Sequence, residues 1–258
     1  MPSLWTECIA TVDVERVSIV AFNLPRLRPG RDFCVPISEP HCGEPAAALS
    51  ALLARVERRA GRARNRLHLL LGYPWAHAAV LPWQEALPNR QAWSAYASSV
   101  LSEQGAPGAL RVAVEEGGFG RARLAAGVDD SMAALLMAAG TEAGWQVASC
   151  GDLLSATLAR HAKRLGRDYA LALVEPESVS CLYRRNGAWI DAATLMRGAG
   201  QPAQTAIDAV TVMCGQTAAS PVFICATTPL GGDDFSGAAW IELDAPLAHL
   251  VGATPCKS

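Results

Sequence analysis

One order of elements occurs twice in this sequence: two adjacent strands, then a helix and a further strand. Alternating apolar residues over 8–22 predict the first strand pair, and 169–175 and 178–184 predict the second. The turn that follows the second pair is Asn186-Gly187, a strong signal for a two-residue hairpin. A chain with this repeated order is expected to fold as two α/β lobes.

The break between the two halves falls near residues 150–166. We predict a first lobe over residues 1–150 and a second over 151–258, with a helix at 152–165 linking them. The other expected elements follow from apolar periodicity and turn residues. They are a strand at 33–37, a helix from Pro45, a strand at 66–73, a helix at 89–103, a hairpin at 109–128 turning at Gly117-Gly118, a helix at 132–143 capped by Asp130 or Ser131, a helix at 202–213, and strands at 221–227 and 239–243.

Composition excludes several classes of protein. A net charge of -2 gives no electrostatic reason to expect nucleic acid as a partner. The eight cysteines form no C-x-x-C pair, which favours reduced thiols in the cytoplasm over a disulfide framework. No apolar run approaches the roughly 20 residues that span a bilayer, so no direct membrane span is expected. The P-loop, nucleophile-elbow and zincin motifs are absent from the sequence.

Two strand pairs that open two similar lobes resemble the actin-like ATPase superfamily, and this resemblance implies an RNase H-like fold of two lobes with mixed sheets. In that superfamily each hairpin commonly carries Asp-x-Gly, where the acid handles a metal and the glycine lets the backbone approach a phosphate. By this resemblance, Asp13 and Glu175 stand at the acid positions. Glu15 and Glu177 stand at the two glycine positions.

The altered positions imply a vestigial phosphate cradle and no nucleotide cofactor. A glutamate at about 4 Å from a phosphate costs roughly 1 kcal/mol in water and about 4 kcal/mol at an effective dielectric near 20. Pro176, inside the second turn, also lacks an N–H donor. The superfamily's Gly-Gly at the adenosine matches Gly231-Gly232 only weakly, and a flexible acidic turn with the two aspartates that follow is the favoured interpretation.

Residues 67–83, with Leu81-Pro82 before a helix, resemble one branch of this superfamily. The branch contains the PilM-type pilus assembly proteins and the cytoplasmic part of the GspL-type type II secretion proteins. The resemblance implies a non-catalytic bacterial scaffold in the cytoplasm, with inner-membrane pilus or secretion assembly proteins as partners. The resemblance does not decide whether the protein is recruited to the inner membrane or whether it forms a homodimer. The alternatives are an ATPase of the same fold, in which Asp13 and Glu175 hold the metal, and an adaptor of unrelated α/β fold.

Three tryptophans within residues 75–93 form a candidate partner surface. Trp75, Trp83 and Trp93 lie in a stretch that also contains prolines, and aromatic residues are common anchors at interfaces, although they also serve as core. Cys34, His41 and Cys42 are near one another, but their irregular spacing does not favour zinc, and we expect no metal site.

Overall fold

The computed structural model describes residues 5–24, 36–58, 60–61, 65–198, 200–216, 221–228, 230 and 240–243. Within these residues the chain forms helices and strands in an alternating order. The elements are β1 (Trp5–Val12), β2 (Arg16–Leu24), β3 (Ile37–Pro40), α1 (Pro45–Ala54), β4 (Asn65–Leu71), β5 (Ala76–Leu81), α2 (Arg90–Glu103), β6 (Leu110–Val114), β7 (Arg123–Asp129), α3 (Asp130–Glu142), β8 (Gln146–Asp152), α4 (Leu153–His161), β9 (Tyr169–Val174), β10 (Ser178–Arg185), β11 (Ala188–Met196), α5 (Ala203–Met213), β12 (Val222–Ala226) and β13 (Trp240–Leu243).

The first sheet has the strand order β3-β2-β1-β4-β8. The neighbours β1 and β2 are antiparallel, whereas β1, β4 and β8 run parallel, so the sheet is mixed. Alternate residues of β4 are buried, as expected of a strand with one face on a core. Helices α1 and α3 cover that face, and their leucines pack on Leu67, Leu69 and Leu71 of β4.

The second large sheet repeats this topology with the order β11-β10-β9-β12-β13. Its central hairpin β9–β10 is antiparallel, and β12 and β13 add in parallel. Every residue of β9 is buried because helices lie on both faces: α4 contributes Leu153 and Leu154 on one side, and α5 contributes Ile207 and Val210 on the other. The two large sheets are therefore structural repeats that share a strand order.

A small antiparallel sheet, β5-β7-β6, is inserted between β4 and α3. Helix α2 covers it and contributes Trp93 and Ala97 to a separate small core with Leu81, Val114 and Ala125. The insertion places β5 against β11 of the second sheet. This contact forms part of the boundary between the two halves of the chain.

The expected α/β fold with mixed sheets is confirmed, and several element boundaries differ from the sequence prediction. The third strand begins at Ile37, and residues 33–35 of its expected range lie outside the described residues. Helix α3 is capped by Asp129 rather than by Asp130 or Ser131, since the Asp129 carboxylate accepts the Met132 N–H at 2.7 Å. Helix α4 ends at His161, four residues before the predicted end. The lobe boundary at residues 150–151 stays a prediction.

The N-cap of α2 provides a test of this part of the fold. The Asn89 side chain accepts the Ala92 N–H at 2.9 Å, so Asn89→Ala leaves that helical donor without its partner. We expect a loss of about 1 kcal/mol in the free energy of unfolding, measured by urea denaturation. Ser99→Ala, at an exposed position in the interior of the same helix, should be neutral or slightly stabilising. Equal destabilisation by both variants would contradict the assigned cap.

Candidate functional site

The two hairpin turns have matching backbone hydrogen bonds. Asp13 N donates to Arg16 O at 3.1 Å in the first turn, and Glu175 N donates to Ser178 O at 2.9 Å in the second. The residue that follows the parallel neighbour of each hairpin, β4 or β12, also donates to the hairpin. Gly72 N donates to Val12 O, and Thr227 N donates to Val174 O. The residues that follow β3 and β11 complete the pattern. His41 N donates to Glu15 O, and Arg197 N donates to Glu177 O. The predicted acid and glycine positions are thus equivalent in the backbone of the two halves.

In the first turn, Asp13 uses its carboxylate on its own backbone. One carboxylate oxygen accepts the N–H groups of Glu15 and Arg16, each at 2.9 Å. His41 Nε2 donates to the Asp13 carbonyl at 2.9 Å, while His41 Nδ1 accepts the Gly43 N–H. Asp13 is 7% exposed. Burial raises the pKa of the Asp13 carboxyl, and the two backbone donors partly oppose this rise.

In the second turn, Glu175 reaches across to the other half of the chain. Its two carboxylate oxygens lie 3.2 and 3.3 Å from the Tyr73 backbone nitrogen, which donates to them. Ser178 Oγ, on the same turn as Glu175, donates to the carboxylate at 3.4 Å. The Glu175 side chain passes directly over Gly72, where a Cβ would overlap Glu175 Oε1. Gly72 is therefore required for this approach, for lack of a side chain rather than for an unusual φ angle.

The space around the Glu175 carboxyl is almost filled. Glu175 is 3% exposed, and the gap that remains beside it measures about 10 Å³, which is room for one water molecule. Gly72, Tyr73 and His77 line this gap from the first half of the chain, together with Asp152 at the start of α4. The cleft between the two turns is thus occupied by the protein's own carboxyl group.

Asp152, which the sequence predicted only as the first residue of a helix, also lines this cleft. The residue is buried and caps α4, since its carboxylate accepts the Ser155 N–H at 2.6 Å. The strand pairing accounts for the position of Asp152. Val12 pairs with Leu71, and Leu71 pairs with Asp152, so the ends of β1, β4 and β8 lie side by side. Ligands of open α/β sheets bind beyond the carboxyl ends of parallel strands, so an acid directly at such an end is a candidate site residue.

Three buried carboxyl groups therefore meet at one boundary. Burial raises the pKa of Glu175 to about 7, and the nearby charge of Asp13 adds to this rise. Burial likewise raises the pKa of Asp152 and of Asp13. None of the three forms a salt bridge with a lysine or arginine among the described residues. Such a site disfavours the binding of a further anion.

The glutamates at the two glycine positions lie elsewhere. Glu15 and Glu177 are exposed, and Pro176 is half-buried with its carbonyl accepting a hydrogen bond from Arg197 at 3.3 Å. Glu175, at the acid position, is the side chain that fills the cleft. The predicted glycine pair Gly231-Gly232 lies outside the described residues.

The three tryptophans do not share one surface. Trp75 is half-buried against the core of the first sheet and packs on His41, with ring centroids 5.6 Å apart. Trp93 is 2% exposed and belongs to the core under α2, which corrects its assignment to a partner surface. Trp83 packs on Trp93 and on Phe119, a residue that is 82% exposed at the hairpin tip. The Trp83–Phe119 pair offers exposed aromatic area at this end of the molecule.

The described part of the chain contains neither a cluster of metal ligands nor a membrane-spanning helix. No group of three or more His, Cys, Asp or Glu side chains there is arranged to hold a metal ion. No helix in the same residues has the length and apolar character required to cross a bilayer.

The mixed sheets with equivalent turns define a protein of the actin-like ATPase fold. Among solved structures, the cytoplasmic domain of EpsL, an inner membrane component of the type II secretion system of Vibrio cholerae, matches with a TM-score of 0.59 and 11% identity, over 96% of this chain and 92% of that chain. A protein of Bacteroides thetaiotaomicron with an actin-like ATPase fold and unknown function matches with a TM-score of 0.60 and 10% identity, over 89% and 84%.

A third solved structure is the PilM-PilN type IV pilus biogenesis complex, with a TM-score of 0.52 and 14% identity over 85% of this chain and 81% of that one. No protein-family model matches the sequence, and neither does any curated protein. At these identities the similarity establishes the fold, and the resemblance to the PilM and GspL types is confirmed at that level.

The buried Glu175 carboxyl predicts a specific pH dependence of stability. Its pKa is raised to about 7 in the folded protein from 4.5 in the unfolded chain, so the folded state binds the proton more tightly. The free energy of unfolding should therefore fall as the pH rises from about 4.5 through about 7, by roughly 3 kcal/mol from this group. Glu175→Gln, which stays neutral, should remove most of this slope and be more stable than the wild type at about pH 8.

Glu177→Gln is the matched control, because Glu177 lies two residues away in the same turn and is exposed. It should leave the pH profile of urea denaturation unchanged. A profile of Glu175→Gln that is parallel to the wild type would refute the assigned burial of the Glu175 charge.

Proposed function

We propose that this protein is a non-catalytic scaffold of a bacterial type IV pilus or type II secretion assembly, with the nucleotide cleft of its actin-like fold closed from within. The observation that carries the proposal is the Glu175 carboxyl, which crosses from the second hairpin turn to the Tyr73 backbone N–H and leaves about 10 Å³ free. The proposal includes a cytoplasmic location and partners among inner-membrane assembly proteins.

The chemistry of the cleft supports the loss of nucleotide binding. Phosphates in sites of this type are held by backbone N–H groups and by cations. Here the Tyr73 N–H already has an acceptor in Glu175, and Pro176 provides no N–H. No lysine or arginine lines the gap among the described residues, whereas Asp152 and Glu175 do. A triphosphate would have to displace Glu175 and then remain beside two buried acids.

Two of the similar structures support the choice of machine. One is described as an inner membrane component of a type II secretion system, and the other as part of a type IV pilus biogenesis complex. A protein of this fold that keeps its two halves together without nucleotide can present a constant surface to such partners. This role is the function that the filled cleft supports best.

A second candidate function is an ATPase of the same fold with altered acids. The observation in its favour is that Asp13 and Glu175, one from each turn, are near enough for their charges to interact. A divalent cation placed between them would relieve this repulsion. If it exists, ATP hydrolysis should be abolished by Asp13→Ala and by Glu175→Ala and retained by Glu177→Ala.

The nucleotide test separates the two candidates. A ligand present at 100 times its dissociation constant stabilises a protein by about 2.7 kcal/mol, which raises the melting temperature of a chain this long by roughly 5–10 °C. We expect no rise with millimolar ATP and Mg²⁺, and no phosphate release above that of the buffer. A clear rise in melting temperature that is lost in Asp13→Ala would overturn the scaffold proposal in favour of the ATPase.

The scaffold role itself predicts a partner in the membrane machine. A bacterial two-hybrid screen against the cytoplasmic segments of the inner-membrane pilus and secretion components of the same cell should return at least one specific pair. The interaction should persist in Asp13→Ala, because no nucleotide is involved. Absence of any pair across both machines would contradict this assignment.

A further inference from the structure

A second and much larger cavity lies on the same boundary between the two halves of the chain. Its volume is about 390 Å³, within the range of about 300–1,000 Å³ that is usual for small-molecule sites. The first half contributes residues around β5 and the end of α2, and the second half contributes β11 and the end of α5. The residues that line the cavity include Tyr73, His77, Asp191, Met213 and Cys214.

The only charged side chain that lines this cavity, among the described residues, is Asp191. It is half-buried and has no lysine or arginine partner in that part of the chain. One carboxylate oxygen accepts the Ala192 N–H at 2.8 Å, and the Cys214 thiol is a further donor. A carboxylate has about four acceptor positions, so Asp191 retains capacity for an incoming donor.

The backbone gives the cavity a second source of negative potential. Helix α5 ends at Met213 with Cys214 as its C-cap, and both residues line the cavity. The C-terminus of an 11-residue helix carries a partial negative charge of about half an electron from its carbonyl groups. This potential and the Asp191 carboxylate act in the same direction, and both favour a cation.

His77 lines the cavity without adding a positive charge. Burial lowers the pKa of the His77 imidazole, which favours its neutral form. Nε2 of the ring is itself buried, so His77 does not offer that nitrogen to a ligand in the cavity.

We propose that this cavity binds an organic cation, namely an ammonium or guanidinium group carried on an aliphatic stem. Asp191 binds the charged group, the C-terminus of α5 attracts it, and His77 and Ala78 of β5 close the site on the other side. Met213, which is 63% exposed beside Val212, provides apolar contact for the stem. The site disfavours nucleotides and other anions, because the one charged side chain that lines it among the described residues is the Asp191 carboxylate.

The test uses methyl NMR, since the chain has five methionines and Met213 lines the cavity. The probes are agmatine, a blocked pentapeptide with one central arginine, and the same peptide with citrulline, which has the same shape without the charge. We expect agmatine, the arginine peptide or both to shift the Met213 methyl signal at millimolar concentration, and the citrulline peptide to bind at least tenfold more weakly. Met132 and Met137 in α3 serve as internal references.

Asp191→Asn keeps the oxygen that accepts the Ala192 N–H and should weaken cation binding at least tenfold. Asp208→Asn is the matched control, because it makes the same charge change at an exposed position of α5 and should bind as the wild type does. Binding of agmatine alone identifies a free amine as ligand, whereas tighter binding of the arginine peptide identifies a side chain of a partner protein. The proposal is refuted if neither cation shifts Met213, if the citrulline peptide binds equally, or if Asp191→Asn binds normally.

Discussion

The hydrogen bond from the Tyr73 backbone N–H to the Glu175 carboxyl joins the two halves of this molecule across the cleft between their turns. A hydrogen bond to a charged acceptor contributes about 1.5–3 kcal/mol, and burial of that charge opposes the gain. The balance leaves Glu175 with a pKa raised to about 7, so the carboxyl is close to the midpoint of its titration at neutral pH. The contact is possible only because Gly72 has no side chain at the place where Glu175 passes.

The two halves share a backbone plan and differ in the reach of one side chain. Their strand orders and the hydrogen bonds of their turns correspond pair by pair. Asp13 is one methylene shorter than Glu175 and accepts hydrogen bonds from its own turn, whereas Glu175 spans the boundary. A symmetric architecture thus gives an asymmetric cleft. The side chain that fills the cleft comes from one half, and the backbone donor comes from the other.

The filled gap and the larger cavity are neighbours on one boundary. Both are lined by Tyr73, His77, Ala78 and Thr194, so the two spaces share one wall. Both spaces carry negative charge and acceptor groups, which distinguishes this boundary from one built to hold a triphosphate. We propose that the fold retains its two-lobed shape as a scaffold. Its remaining ligand site prefers a cation, whereas a nucleotide site holds an anion.

The sequence by itself determined the local elements and the class of fold. Apolar periodicity and turn residues predicted the paired hairpins, the helix at 89–103 and the α/β class, because the side chains that one face buries recur at a fixed spacing along the chain. The mixed sheets were implied by the resemblance to the actin-like fold. Only the tertiary structure decided that Glu175 rather than Glu15 or Glu177 fills the cleft, that Asp152 joins it, and that Trp93 is core. These outcomes depend on contacts between separate elements, of which the Glu175–Tyr73 contact joins residues about 100 positions apart, and local periodicity carries no information about which distant surfaces meet.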